Sequence, residues 1–432
     1  MDGKGGASYR PVPLFSDTRY SGFRCYNKTK LCCVDSTLMR TNLKLAIVAS
    51  EVPFPPVSGA RMDIWNRMVA LSRRDVSVHL TTWADECVSE EHLKQLNRHV
   101  DSLTVYRRNR TPWHDLHPRY PTPVASRILP RASYKAELKK LRSISPDIVF
   151  LDQLGGAVLA LDLADDLNTR LVYRSHNVEY QYMQELFLAE RRLVRKALLL
   201  NSIWKTKSVE RLVRACSSRI FEISAENLEA WQEDAETAKA TVLNYCLHPD
   251  NHFGSVPRHA NCPIDVLYVG NLHTPNNVLG LKWFASRVAP LLEGSYIVVA
   301  GSNPARKLCD TLRNANVEVI ANPEEVQGLY DRARVLINPV WHGSGVNIKT
   351  VELLATGKPL VSTSAGTRGL LSQLRRHVGV TDNPEDFANF VLERLNDGFS
   401  PSQQANIASE YGEDNVIRLI KNLQALSDVG GC

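Results

Sequence analysis

At 432 residues, with 44% hydrophobic and 23% charged side chains, the chain has the composition of an ordinary folded protein and the length of two or three domains, which excludes disordered, fibrous and collagen-like classes. The formal charge of +6 does not argue for nucleic acid: residues 1–41 hold seven Lys and Arg against three Asp, which leaves +2 for the rest, too little for a general polyanion-binding surface. Nine cysteines, an odd number with Cys32 and Cys33 adjacent and no CxxC, fit neither a disulfide framework nor a zinc site and read as reduced thiols of a cytoplasmic protein.

Residues 1–41 are rich in Gly, Ser, Arg and aromatics without periodicity, and are expected to be a tail, disordered or a misassigned start, with Met39 competing with Met1 as initiator. No run approaches about 18 apolar residues and no apolar stretch marks a secretory signal, so neither a transmembrane helix nor export is expected. From Leu43 a short run of branched apolar residues predicts a buried strand, which ends in a Pro-rich loop, 52–59. Helical spacing follows over 61–74, then strands at 76–82, 103–107, 147–151, 170–173 and 219–224, with a helix from about Ala157 and a long helical stretch over 179–215.

The pattern lapses after Leu243. A second alternation places strands at 265–270, 296–301, 317–321, 335–340 and 359–363, with helices near 276–292, 304–315, 323–333 and 347–356, then 384–396 and 401–427. The fold class is α/β with mostly parallel sheets. The expected division is a first domain over 42–245, a linker over 246–261, a second domain over 262–400, and a last helix in 401–432 crossing back to the first domain.

The loop after the first strand carries only Gly59, with no GxGxxG, and nothing matches GxxxxGK[ST], which disfavours a nicotinamide or flavin oxidoreductase and a P-loop NTPase. The strongest constellation is Trp341-His-Gly-Ser-Gly-Val-Asn-Ile-Lys-Thr-Val-Glu352, a strand end running into a helix. Its small residues Gly343, Ser344 and Gly345 allow close backbone approach, and a helix start exposes unpaired N–H groups. Lys349 adds a cation, while Glu352 offers paired acceptors to a diol. That layout suits a diphosphate joined to a ribose, although a plain Gly-rich turn with a solvated Lys and Glu has the same sequence.

The continuation through Ala355, Gly357 and Pro359–Val361 resembles the retaining glycosyltransferases of the GT-B fold, especially glycosyltransferase family 4. Three further segments are similar to a polysaccharide-type subgroup of that family: Tyr268-Val-Gly-Asn-Leu-His-Thr-Pro-Asn-Asn, Arg174-Ser-His-Asn-Val-Glu-Tyr180, and Pro55-Pro-Val-Ser-Gly-Ala-Arg61, so that the resemblance spans about 43–400. It implies two facing Rossmann-like domains with the active site in the cleft between them. It also implies transfer of a sugar, with retention, from a nucleotide-diphosphate sugar to a glycan, lipid-linked or small-molecule acceptor, without a cofactor or an obligatory metal.

On this resemblance the donor site comprises Gly59, Arg61, Gly343, Ser344, Gly345, Val346, Asn347, Lys349 and Glu352, and the catalytic residues are His176 and Lys349. The sequence departs from the family where Ser344 replaces a frequent Glu, and where Asn271 and Pro275-Asn-Asn replace a frequent Arg and Lys pairing. A nucleotide-sugar epimerase and a non-catalytic sugar-nucleotide-binding protein remain as alternatives. His248, His252 and His259 have no spacing typical of zinc. The stretch 185–215 carries Arg191, Arg192, Arg195, Lys196, Lys205, Lys207, Arg211 and Arg214 among large apolar residues; it is either a core helix with a solvated basic face or a peripheral contact with an anionic membrane at its inner face.

Overall fold

Short apolar runs buried on both faces read as parallel strands, and the chain builds two such sheets. The computed structural model describes residues 42–250, 263–341, 345–397 and 400–428; the expected tail, His252, His259, Gly343 and Ser344 lie outside them. The first sheet comprises β1 (Lys44–Ala49), β2 (Ser77–Ala84), β3 (Ser102–Arg107), β4 (Ile148–Asp152), β5 (Arg170–Ser175), β6 (Arg219–Glu222) and β7 (Ala240–Val242), in the order β3-β2-β1-β4-β5-β6-β7. The second comprises β8 (Ile264–Val269), β9 (Ile297–Gly301), β10 (Val317–Ala321), β11 (Ala333–Asn338), β12 (Leu360–Ser362) and β13 (Val378–Val380), in the order β10-β9-β8-β11-β12-β13. All pairings in both sheets are parallel. The protein is therefore α/β with two Rossmann-like domains, and each sheet reverses its strand order once, between β1 and β4 and between β8 and β11. Open α/β sheets hold ligands at the carboxyl ends of strands beside such a switch point.

The helices that bear on the site are α1 (Gly59–Ser72), α2 (Glu179–Ala189), α3 (Leu193–Cys216), α4 (Pro275–Trp283), α5 (Ile348–Ala355), α6 (Pro401–Tyr411) and α7 (Glu413–Asp428). Helix α1 begins at Ser58, whose side chain accepts the Arg61 N–H, and buries Ile64, Trp65, Met68, Val69 and Leu71 against the first sheet. Helix α5 buries Ile348, Val351, Leu353 and Leu354 against the second.

The stretch 179–215 is two helices. The Glu190 carboxylate accepts the N–H groups of Arg191 and Arg192, which interrupts the helical ladder without Gly or Pro. The expected helix over 401–427 is likewise broken at Gly412. Ile407 and Tyr411 of α6 belong to the second domain's core, whereas Val416, Leu419, Ile420 and Leu423 of α7 belong to the first. Tyr245, Cys246 and Leu247, at the edge of the expected linker, are buried, and Leu247 N–H donates to the Tyr411 carbonyl at 2.8 Å. The two crossings between domains thus pack on each other.

Candidate active site

The carboxyl ends of β4 and β5 and the start of α1 converge on a buried set of charges. Asp63 and Arg67 stand one helical turn apart on α1, Asp152 ends β4, and Arg174 lies beside it in register on β5. Arg67 donates to Asp63 at 2.7 Å and also to Asp152, and Arg174 donates to Asp63 at 3.1 Å. His176 Nε2 lies 2.7 Å from Asp152 Oδ1 and 3.5 Å from Asp63 Oδ2. Burial alone would raise the Asp63 carboxyl, but Arg174, Arg67 and His176 outweigh it and hold Asp63 below the usual carboxylate range. Asp152 follows the same pattern, with Arg67 and His176 overcoming its burial. Two carboxylates and two guanidinium groups therefore fix the imidazole ring from behind, by its Nε2 edge.

His176 and Asn177 reach the second domain at Gly345, which has φ +69°; a Cβ there would collide with the Asn177 side chain. The other seam is at Gly59, where an added Cβ would stand 3.0 Å from Ile348 Cδ1 at the start of α5. The structure thus brings Gly59, His176, Gly345 and α5 together. Arg61, two residues into α1, pairs instead with Glu51 at 2.7 Å. Val346 packs on the second domain's core. Asn347 is also turned inward, with its Oδ1 3.3 Å from Asn338 Nδ2 and its N–H on the Arg368 carbonyl. The expected row of unpaired amides is partly closed, because the N–H groups of Ile348 and Thr350 bond the carbonyls of Val346 and Asn347.

Lys349 and Glu352 diverge from one helix face. Lys349 Nζ donates to Tyr268 Oη at 2.7 Å and to Asn277 Oδ1 at 3.3 Å, 4.3 Å above the Tyr268 ring. It lies over the carboxyl end of β8, where a Cβ on Gly270 would come within 2.5 Å of it. Glu352 Oε1 accepts from Tyr245 Oη at 3.2 Å, and Tyr245 Oη accepts in turn from Asn66 Nδ2 at 2.8 Å, so this carboxylate faces the interdomain crossing and α1. Burial pushes the Lys349 ammonium down to about 7, against the pull of Glu352. Burial likewise pushes the Glu352 carboxyl up to about 7, opposed by the Tyr245 hydrogen bond and Lys349. Each group is poised to change charge near neutrality.

Asp63, Arg67, Asp152, Arg174, Tyr245, Tyr268 and Asn277 were not assigned as site residues from the sequence; the local signals were the segments 174–180 and 268–277, which hold Arg174, Tyr268 and Asn277, and the helical spacing of Asp63 and Arg67. A pocket of about 370 Å³ opens at the carboxyl ends of β1 and β2, walled by Glu51, Phe54, Arg61, Trp83, Arg108 and Arg127. A larger one of about 500 Å³, around Arg142, Asp147 and Arg170, lies at the opposite ends of β4 and β5, away from these residues. Among the described residues no His, Cys, Asp and Glu side chains cluster as a metal site, and no helix is long and apolar enough to cross a membrane.

Residues 263–397 match the family described as Glycosyl transferases group 1. A Klebsiella pneumoniae protein described as an uncharacterized 44.6 kDa protein in the cps region is 25% identical over 367 residues, 81% of this chain and 90% of that protein. Among solved structures, Anabaena HepE in complex with UDP and glucose aligns with TM-score 0.61 at 11% identity, covering 89% of this chain and 99% of HepE. Sucrose-phosphate synthase from Thermosynechococcus elongatus aligns with TM-score 0.59 at 13% identity, covering 90% of this chain and all of that one. A TarM variant from S. aureus, in complex with fondaparinux, alpha-GlcNAc-glycerol and UDP, aligns with TM-score 0.60 at 9% identity, covering 88% and 99%. Residues 263–397 are thus similar to the Glycosyl transferases group 1 family, and the chain as a whole has the two-domain fold of the GT-B glycosyltransferases.

Proposed function

We propose that the protein is a family 4-like, retaining glycosyltransferase that moves a hexose from a nucleotide-diphosphate sugar to a glycan, lipid-linked or small-molecule acceptor, with neither cofactor nor obligatory metal. The observation that carries this reading is the divergence of Lys349 and Glu352 from the start of α5, beside the seam where His176 meets Gly345. A cation and a carboxylate one turn apart match the diphosphate and the ribose diol of one nucleotide. The group 1 domain over 263–397 and the UDP held by HepE support the same ligand class.

In this reading Lys349 neutralises the charge that grows on the leaving diphosphate, and the seam between the domains excludes water that would compete as acceptor. His176, locked by Asp152, faces the donor sugar. The pocket beside Arg61 and Trp83, at the carboxyl edge of the first sheet, is the place for the acceptor.

The test is a thermal-shift panel of nucleotide sugars followed by turnover of the best binder with and without candidate acceptors. Release of nucleoside diphosphate only with acceptor supports transfer. Conversion of the donor sugar without acceptor would make the protein an epimerase, and binding without turnover in any condition would make it a non-catalytic binding protein.

A further inference from the structure

The half of α3 that returns to the first domain is ordinary core helix: Val209 and Val213 join the sheet's apolar layer, while Lys205, Glu210 and Arg214 are buried with them. Burial removes Lys205 and Arg214 from the basic face expected over 185–215. Glu210 accepts the N–H groups of Glu179 and Tyr180 at 2.9 and 3.2 Å, and so fixes the point where α2 leaves the carboxyl end of β5. From there the 11 residues of α2 run about 16 Å to the hairpin tip.

The tip and the first half of α3 invert the usual pattern of a globular helix. Leu193, Leu200 and Trp204, spaced along one helix face with Ala197, are 83%, 59% and 69% exposed, and Leu188 and Val194 beside them are 75% and 78% exposed. A contiguous bare stripe of large apolar residues marks an interaction surface rather than a solvated helix. Arg191, Arg192, Arg195 and Lys196 flank it, and Glu190 is the one carboxylate among residues 188–204.

We propose that this hairpin tip is a docking surface for an anionic lipid bilayer. Leu188, Leu193, Val194, Leu200 and Trp204 would enter the acyl boundary, while the four cations meet lipid phosphates, the arrangement of an interfacial amphipathic helix. Charge decides against a second copy of the chain: a two-fold contact through the same patch would bring like cations face to face. The hairpin also borders the cleft, since Glu185 Oε1 on α2 stands 3.9 Å from Arg368 Nη1 of the second domain. Docking therefore turns the cleft toward the bilayer, which, if the transferase reading holds, selects a lipid-borne acceptor.

Cosedimentation of the full chain with vesicles tests this without donor or acceptor. Recovery with vesicles containing about one third phosphatidylglycerol should exceed recovery with pure phosphatidylcholine by about tenfold or more, and should fall as salt is raised. Leu193→Ser with Trp204→Ser, and separately Arg191→Glu with Arg192→Glu, should each remove that difference while leaving the melting temperature unchanged, because these side chains are exposed. Equal recovery with neutral and anionic vesicles, recovery with neither, or full retention in both variants overturns the proposal. So does a lipid-free dimer that Leu193→Ser with Trp204→Ser dissolves in a protein that ignores vesicles. The transferase reading stands or falls separately, on nucleotide binding and turnover.

Discussion

Raising the pH from about 8 to about 9 should weaken nucleoside diphosphate binding by stripping the proton from Lys349. With its ammonium pushed down to about 7, the free protein carries that charge in roughly one molecule in eleven at about pH 8 and one in a hundred at about pH 9. A diphosphate lying against Nζ restores the group toward its ordinary value of 10.5, so binding in this range takes up nearly one proton. The dissociation constant should therefore rise about ninefold across that interval, equivalent to ~1.3 kcal/mol. The ligand does not produce the effect itself, because a phosphate monoester loses its second proton near pH 6 or so. Glu352, raised to about 7, is already mostly ionised at the lower limit. Calorimetry in two buffers of different ionisation heat measures both the affinity and the proton uptake. Lys349→Arg keeps its charge and should bind without this pH dependence, and Lys349→Met should bind weakly and equally at both values. A flat wild-type affinity with no proton uptake would refute the reasoning, since either the ammonium is not displaced or it does not meet the diphosphate.

Glu352→Gln should weaken nucleoside diphosphate binding by about 1–3 kcal/mol and abolish the preference for the ribose form over its 2′,3′-dideoxy analogue, which competition binding measures. The same carboxyl holds its proton more tightly folded than unfolded. Wild-type stability should thus decline as pH rises from 4.5 to about 7, and the Gln variant should lack that component, worth up to about 3 kcal/mol in denaturant titrations. His176→Ala should lower kcat by about 100-fold or more while donor Kd moves little, and an equal loss in both would place the ring in donor capture instead. Gly345→Ala should cost at least about 1 kcal/mol of stability, read as a fall in melting temperature, because it forces a side chain into φ +69° and against Asn177.

The two sheets were legible because strands buried on both faces stand out as short apolar runs, as in Ile148–Asp152 and Ile297–Gly301. The three-residue strands Ala240–Val242 and Val378–Val380 were not, since Ala-Thr-Val and Val-Gly-Val are too short to carry a period. The break after Ala189 was hidden because a carboxylate, not a Gly or Pro, makes it. The direction of Lys349 and Glu352 along one helix was legible from their spacing. Their partners were not, because Tyr268, Asn277, Tyr245 and Asn66 arrive from 72 to 107 residues away for the first three, and through Tyr245 for the last. A charged residue inside an amphipathic helix reads as solvated, yet Asp63 is fully buried, since only the folded end of β5 supplies Arg174 and His176 to pair with it.

The same long-range pairings explain why the start of α5 and the domain crossing form one unit. Tyr245 lies on the first crossing and touches Glu352, while the neighbouring Asn244 and Tyr245 carbonyls accept from Asn415 Nδ2 on the second crossing, at 2.9 and 3.2 Å. Cys246 N–H bonds Asp63 at 3.2 Å, which joins that crossing to the charges that hold His176. Glu352 and His176 are therefore tied through one peptide segment, 245–246, as well as across the cleft. A shift of that segment changes the Glu352 hydrogen bond and the Asp63 hydrogen bond together, so the geometry at both ends of the site depends on how the two domains are set against each other.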